Sequence, residues 1–180
     1  MKENASLHRR IDRTFAFIDL SGFTHFTDTE GDAAAMEILI GFRESVRRVA
    51  SVRGVRIAKW LGDGAMLVGV EPEQTVEAVI TMEMLIDFSQ SPLPMRAGIA
   101  RGQVLLIDGD DHVGDPVIMA SRLCNLAEPH QVLAPADLVM SLMVNTAARK
   151  IGLRKIDGFS EPIEVVQLSS LQSPKKTDEQ

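Results

Sequence analysis

The sequence has little of several residue types, and each scarcity excludes a class of protein. A single cysteine, Cys124, leaves no disulfide framework and no cysteine-based zinc site. Aromatic residues make up 4% of the 180 residues, with no tyrosine and one tryptophan, so the core must be aliphatic and rich in methionine. No apolar run reaches the roughly 18–20 residues that cross a bilayer, and the charged N-terminus lacks the apolar segment of a signal peptide. We therefore expect a cytoplasmic protein with no membrane partner.

Positive charge is also scarce. The formal net charge is −6 and the isoelectric point is about 5.2. Nucleic-acid binders usually present a basic face, so nucleic acid is not an expected partner. The four histidines show no spacing typical of metal ligands. Apolar residues make up 45% of the chain, which is enough for one domain with a substantial core.

The order of predicted strands and helices indicates the fold class. Apolar runs and periodicity predict strands over residues 14–20, 55–61, 65–70, 95–107, 131–135, 153–157 and 163–168. Capping signals and 3.6-residue periodicity predict helices over residues 32–53, 72–88 and 115–127, with a short helix after Pro135. This order predicts an α+β fold, a ferredoxin-like βαββαβ core with additional C-terminal strands and helices. The sheet is expected to be rich in antiparallel pairs, with helices on one face.

Polar segments flank the alternating part of the chain. Residues 1–12 are interpreted as a polar lead-in and residues 169–180 as a disordered tail. Residues 13–168 between them form the single predicted domain.

Two acidic residues stand at the ends of predicted strands. Asp63 is flanked by glycines in the hairpin stretch KWLGDGAML, and Asp19 ends an otherwise apolar strand. In a ferredoxin-like sheet these segments are neighbours, so the two carboxylates could share Mg²⁺ or Mn²⁺, which prefer oxygen ligands. Backbone N–H groups around Gly22 could hold phosphate beside such a site. From spacing alone, however, a tight turn and a helix cap are the favoured interpretations.

Four blocks in the sequence go beyond spacing. In order they are FIDLSGFT, KWLGDGAML, MRAGIARGQV and VGDPVIMASRL. With these separations they resemble the catalytic domain of class III nucleotide cyclases, the adenylyl and guanylyl cyclases, and most of all a stand-alone bacterial adenylyl cyclase. The resemblance covers residues 13–168. It implies that ATP is converted to 3′,5′-cyclic AMP and pyrophosphate.

The resemblance also implies a metal and phosphate site. Asp19, Asp63 and the backbone carbonyl of Leu20 are expected to bind two ions per active site, Mg²⁺ or Mn²⁺. The glycines beside Asp63 would let the turn bend sharply and approach the nucleotide closely. Four residues are expected to contact the triphosphate: Gly22, Phe23, Thr24 and Arg96.

A second set of residues is expected to recognise the base. Lys59 and Asp111 match the two base-selecting positions of the family. Lysine donates and aspartate accepts, which suits the acceptor at adenine N1 and the donor at its 6-amino group, whereas guanine reverses both roles. The simpler interpretations are a solvated strand lysine and an acidic turn residue. Arg122 matches the arginine that stabilises the transition state, with a surface salt bridge as its alternative.

Two positions depart from the pattern of the family. Ile118 stands where the family has an asparagine that orients the ribose, one helical turn before Arg122. Asp157 stands where the family often has a phosphate-binding lysine, and Arg154 or Lys155 is a weak candidate to replace it. These departures keep open a catalytically weak or inactive domain that binds nucleotide or a partner.

The expected assembly follows from the resemblance. Family sites form between two domains arranged head to tail, so one chain that carries both half-sites predicts a homodimer with two equivalent sites. Asp63 and Lys59 of one chain would then serve different sites. A guanylyl or mixed-specificity cyclase remains an alternative, whereas the GG[DE]EF turn of diguanylate cyclases is absent. A regulatory protein, if one exists, is unknown from the sequence.

Overall fold

The computed structural model describes residues 10–107, 111–139 and 145–171. Most of the predicted lead-in and tail, residues 1–9 and 172–180, lie outside the described residues. The strands are β1 Arg10–Leu20, β2 Arg56–Leu61, β3 Gly64–Gly69, β4 Met95–Ile107, β5 Asp111–Val113, β6 Val132–Pro135, β7 Thr146–Arg154 and β8 Ile163–Ser170. The helices are α1 Phe23–Glu30, α2 Asp32–Arg53, α3 Pro72–Phe88 and α4 Asp115–Leu126, with a 3₁₀ turn at Ala136–Leu138.

The strands form one sheet in the order β2-β3-β1-β4-β6-β8-β7, and β5 pairs with β4. The first four strands in this order, with α2 and α3 between them in the chain, are the predicted ferredoxin-like core. Among the described strands, the β4–β6 pair is parallel and the other pairs are antiparallel. The predicted α+β class and antiparallel-rich sheet are therefore confirmed.

Helices cover both faces of the sheet, which corrects the expected single helical face. One apolar cluster joins Ala16 and Ile18 of β1 to α2 and α3, and a second joins Phe15 of β1 to α4. Neighbouring residues of β1 point to opposite faces, so this central strand is buried on both sides. The ferredoxin-like core accounts for α2 and α3, and α4 belongs to the C-terminal addition.

A close approach fixes α4 against the sheet. A Cβ atom placed on Gly98 of β4 would lie 2.2 Å from the backbone nitrogen of Cys124 and 2.3 Å from the carbonyl oxygen of Ala120. Such distances are far below contact, so only glycine lets the helix backbone rest directly on the strand.

Several elements differ from the predicted bounds. β1 begins at Arg10, because its polar first residues pair with β4 as far as Leu105, and β8 continues to Ser170. The predicted strand over residues 153–157 is wrong in its bounds, because β7 spans Thr146–Arg154. The first half of β7 was not predicted because it lacks an apolar run. Helix α1 and strand β5 were not predicted, because both are short and α1 has no buried residue.

Within the described residues, no helix is both long and apolar enough to span a membrane.

Candidate active site

Asp19 lies at the end of β1, between two strands that bring partners to it. The register pairs Asp19 with Gly64 of β3 and with Arg96 of β4. The Arg96 guanidinium donates two hydrogen bonds to Asp19 Oδ2, at 3.1 Å from Nε and 2.8 Å from Nη2. Arg96 Nη1 also donates to the backbone carbonyl of Asn125 in α4, at 3.4 Å. Arg96, the predicted phosphate ligand, thus neutralises the charge of Asp19, the predicted metal ligand.

Asp63 occupies the turn between β2 and β3, beside Asp19. Its backbone carbonyl accepts a hydrogen bond from the Leu20 N–H at 3.2 Å, which ties the turn to the end of β1. Burial raises the pKa of the Asp63 carboxyl, and the neighbouring Asp19 carboxylate raises it further, while Arg96 opposes the shift. Two carboxylates that repel each other in a partly buried place favour a cation between them.

The two glycines of the turn allow this approach. Gly62 has a φ of +67°, a conformation that residues with a side chain rarely adopt. A Cβ atom on Gly64 would lie 2.5 Å from the Ile18 carbonyl oxygen and 3.1 Å from Asp19 Oδ1. A side chain at position 64 would therefore push the turn away from Asp19.

The predicted triphosphate turn follows the acid pair directly. Gly22 has a φ of +83° and precedes the first residue of α1, Phe23, so the chain reverses immediately after Leu20. The Ser21 N–H donates to the Pro94 carbonyl at 2.8 Å. The buried Ser21 hydroxyl has no hydrogen-bond partner among the residues that the structure describes. Gly22, Phe23 and Thr24 thus lie at the same end of the sheet as Asp19.

Lys59 and Asp111 form a separate pair. Lys59 Nζ lies 2.9 Å from Asp111 Oδ1, and each side chain is 54% exposed. The hydrogen bond and charge of Lys59 hold the pKa of the Asp111 carboxyl below its ordinary value. These residues are 52 positions apart, and the structure brings them together because β5 folds back on β4. No hydrogen bond or ion pair within the described ranges joins this pair to the acid pair.

Arg122 and Ile118 project from the exposed side of α4. Ile118 is 46% exposed, and Arg122 is exposed with no hydrogen bond or ion pair to any other described residue. Among the residues that the structure describes, Arg122 therefore forms no surface salt bridge, which was its alternative interpretation. The buried Cys124 lies nearby, and burial raises the pKa of its thiol to about 12, so the thiol stays neutral.

Asp157 lies in the turn between β7 and β8 and is exposed, as are Arg154 and Lys155. The expectation that these residues share a strand is wrong beyond Arg154, where β7 ends. The polar residues of this turn have no described contact with the acid pair.

A cavity of about 190 Å³ lies against Asp19 and next to the turn that carries Asp63. Asp19 and Gly64 line one side of it, and Ser121 and Asn125 of α4 line the other. A larger cavity of about 700 Å³ lies near Arg10 at the opposite end of β1, and none of the predicted site residues lines it. The chemistry of the side chains, more than cavity size, identifies the site.

The acid pair could hold a hard divalent cation with help from other oxygens. Within the described residues, no three Asp, Glu, His or Cys side chains cluster closely enough to hold a metal ion by themselves. Asp19 and Asp63 supply carboxylate oxygens, and the adjoining backbone supplies carbonyls such as that of Leu20. This donor set fits Mg²⁺ or Mn²⁺, both of which usually complete their coordination with water or substrate phosphate.

Comparison with curated proteins finds relatives of similar sequence. The chain is 34% identical to an uncharacterised protein of Mycobacterium tuberculosis over 152 residues, which are 84% of this chain and 40% of that protein. It is 33% identical to a pH-sensitive adenylate cyclase of M. tuberculosis over 126 residues, 70% of this chain and 31% of the relative. The chain therefore spans well under half the length of these relatives. A scan against models of known protein families finds no match.

Comparison with solved structures finds the same fold. The adenylyl cyclase CyaB of Pseudomonas aeruginosa superposes with a TM-score of 0.81, covering 93% of this chain and 97% of that one at 23% identity. The chain has the fold of class III nucleotide cyclase domains and is similar in sequence to proteins named adenylate cyclases. The predicted resemblance is thereby confirmed, and the α+β architecture of the cyclase domain is the one described above.

Sequence reasoning missed one residue at this site. Arg43 of α2 donates from Nη2 to the carbonyl oxygen of Gly62, at 3.0 Å, and so reaches the turn that carries Asp63. Its only signal in the sequence is its position one helical turn before Arg47.

Proposed function

We propose that this cyclase domain converts ATP to 3′,5′-cyclic AMP and pyrophosphate in the cytoplasm. The observation that carries the proposal is the convergence of Asp19 and Asp63 at one end of the sheet, where burial and then the Asp19 carboxylate raise the pKa of Asp63. The relatives named adenylate cyclases, from M. tuberculosis and Streptomyces coelicolor, support the same activity.

Asp19, Asp63 and the Leu20 carbonyl would hold two divalent ions, Mg²⁺ or Mn²⁺. When bound, these ions lower the pKa of the ribose 3′-hydroxyl and neutralise the phosphates. Arg96 now binds Asp19 and the Asn125 carbonyl, and it would turn toward phosphate once a cation replaces it at Asp19. Backbone amides of Gly22, Phe23 and Thr24 are the proposed cradle of the triphosphate.

The reaction needs positioning and charge stabilisation more than a side-chain nucleophile. The ribose 3′-hydroxyl gives up its proton to water and its oxygen attacks the α-phosphorus of the same ATP. The bond from that phosphorus to the oxygen bridging the α- and β-phosphates breaks, and pyrophosphate leaves. Arg122 is the proposed donor to the charge that builds on the α-phosphate. Covalent catalysis by Cys124 is unfavourable, because its thiol is buried and neutral at physiological pH.

The Lys59–Asp111 pair is proposed to recognise the adenine base. Its members lie side by side as one donor and one acceptor, which matches the acceptor at adenine N1 and the donor at the 6-amino group. Guanine would present a donor to Lys59 and an acceptor to Asp111. The pair therefore favours ATP over GTP.

The proposed active unit is a head-to-tail homodimer with two sites. The acid pair of one chain would face Lys59, Asp111 and Arg122 of the other. The exposure of Ile118 and Arg122 on α4, and the lack of any described contact between the two half-sites within one chain, support this arrangement. No membrane or nucleic-acid partner enters the proposal.

The test is product formation by the purified protein with ATP or GTP, in Mn²⁺ and in Mg²⁺. We expect cyclic AMP from ATP, little product from GTP, and none from an Asp63→Ala variant shown to be folded. A dimeric native protein that makes no cyclic nucleotide in either metal would contradict the proposal.

A second candidate is a domain that binds Mg-ATP without turnover. The exposed apolar Ile118, one turn before Arg122, favours it, because isoleucine cannot hydrogen-bond to the ribose. Tight Mg-ATP binding without product would establish this candidate. The intact acid pair favours the enzyme.

A further inference from the structure

We propose that Arg43 is a positioning residue for the metal site: it holds the Gly62–Asp63 turn so that the Asp63 carboxylate stays beside Asp19. The inference rests on the proposed function, because only that function makes Asp63 a metal ligand. Arg43 belongs to α2, outside the four sequence blocks that carry the family resemblance.

The first contact is a hydrogen bond between distant parts of the chain. Arg43 Nη2 donates to the Gly62 carbonyl oxygen at 3.0 Å, across 19 positions of sequence. The next carbonyl, that of Asp63, accepts from the Leu20 N–H at 3.2 Å. Two consecutive carbonyls of the turn are therefore held, one by α2 and the other by β1.

A second contact fixes the guanidinium that makes this hydrogen bond. The Arg43 Cζ atom lies 4.9 Å from the centroid of the Trp60 ring, within the range of a cation–π interaction. Trp60 is in β2, two residues before Gly62. The tryptophan therefore serves as a platform that directs Arg43 toward the turn.

The turn needs an external support because of its own composition. Gly62 and Gly64 flank Asp63, and glycine has the widest backbone freedom of any residue. Gly62 is held at a φ of +67°, in the left-handed region. Without Arg43 the Gly62 carbonyl would lose its described partner, and the Leu20 bond to the Asp63 carbonyl would remain, so Asp63 would occupy a wider range of positions.

Arg47 provides a matched control within the same helix. Its Cζ atom lies 5.1 Å from the Trp60 centroid, nearly the same distance as that of Arg43. Arg47 makes no hydrogen bond to the turn in the part of the chain that the structure describes. A change at Arg47 therefore removes a charge and a cation–π contact while leaving the Gly62 bond in place.

The experiment measures Mn²⁺ binding without catalysis, by the electron paramagnetic resonance signal of free Mn²⁺. The variants are Arg43→Met, Arg47→Met and Asp63→Asn, each compared with the native chain in the same oligomeric state. Because Trp60 is the only tryptophan, a change in its fluorescence reports the loss of each arginine from the ring. Circular dichroism confirms that each variant is folded.

We expect Asp63→Asn to abolish tight binding, and Arg43→Met to raise the Kd for Mn²⁺ about 10-fold, as residues that orient metal ligands commonly do. Arg47→Met should change the Kd less than about twofold. Equal Kd values for Arg43→Met and the native chain, or equal losses in both arginine variants, would overturn the positioning role while leaving the metal site intact. A native chain that binds no Mn²⁺, or binds it independently of Asp63, would overturn the proposed function and the positioning role together.

Discussion

The two proposed halves of the site are built differently within one chain. The acid half is anchored: Asp19 carries two hydrogen bonds from Arg96, and the turn of Asp63 is tied to β1 and α2. The base half is presented outward: Lys59 and Asp111 are half exposed, and Arg122 has no described partner. The fold therefore pre-forms the proposed metal site and leaves the proposed recognition residues available to another surface.

This difference indicates which half of the proposed site should depend on a second chain. A cation site built from anchored strands needs no partner to acquire its shape. An arginine on an exposed helix face acts on a phosphate only when a second molecule brings that phosphate to it. Changes in the acid half should alter each chain by itself, and changes in the base half should alter what a chain does for its partner.

Mixing inactive variants gives the largest expected effect. Asp63→Asn and Arg122→Ala should each lower the rate by about 10³-fold, since each removes an interaction with developing charge. Mixed in equal amounts, half of the randomly formed dimers combine the two variants, and each of these has one complete site. The mixture should regain about a quarter of native cyclic AMP formation, measured after exchange of subunits.

The control for this mixture joins two variants of the same half. Asp19→Asn mixed with Asp63→Asn leaves every site without one carboxylate, so no activity should return. Recovery in this control, or none with Arg122→Ala, would contradict the separation of the two halves between chains.

Changing the base pair should give the next largest effect. Lys59→Glu alone would set two carboxylates side by side, so it is combined with Asp111→Asn. Each unsatisfied buried polar group costs about 1–3 kcal/mol, so kcat/KM for ATP should fall about 10- to 100-fold while the preference moves toward GTP. Lys59→Met is the control, because it removes a donor without adding an acceptor. An unchanged preference in the double variant would refute the base-reading role.

Restoring a polar group on α4 should give a smaller gain. Ile118→Asn supplies the ribose contact that the resemblance implies, and kcat should rise by about 10-fold if one oriented hydrogen bond is regained. Because Ile118 is 46% exposed, the free energy of unfolding should change by less than about 0.5 kcal/mol. A variant with unchanged kcat would show that the base half does not use this position.

The smallest effect concerns the acid pair without metal. The pKa of Asp63 is raised above its ordinary value of 3.8, so the folded state holds the proton more tightly than the unfolded state. Stability should therefore fall as the pH rises through the window just above 3.8. In EDTA at pH 7, Asp63→Asn should raise the melting temperature by about 1–2 °C, because solvent screens a partly exposed group.

The matching control is Asp157→Asn, which changes an exposed turn residue and should leave the melting temperature unchanged. The gain from Asp63→Asn should disappear below pH 3.8, where the native carboxyl is protonated in both states. A lower melting temperature for Asp63→Asn at pH 7 would show that the carboxylate is stabilised without a cation.

The strongest sequence patterns predicted the fold well, and weak local signals did not. The long helices and the apolar strands were predicted because periodicity and caps agree within each segment. The prediction for strand β7 was placed too late, at residues 153–157, because the first residues of the strand, from Thr146 onward, are mostly polar and lie at the edge of the sheet. Short α1 buries no residue, so it left no apolar pattern to read.

The pairing of Asp19 with Asp63 followed from topology, since the ferredoxin-like order sets β1 beside β3. The hydrogen bonds from Arg96 to Asp19 and from Arg43 to Gly62 could not be predicted, because each depends on side-chain directions across separate elements. A sequence specifies which strands are neighbours more plainly than which guanidinium reaches which oxygen.

Gly98 has a wider consequence for how two such sites would communicate. It lets α4 rest directly on β4, two residues from Arg96, so we expect α4 with Arg122 and β4 with Arg96 to move together. In a head-to-tail pair these two arginines would lie in different sites. A rotation that closed one site around its nucleotide would then displace the second arginine in the other site, so the two sites would turn over in alternation.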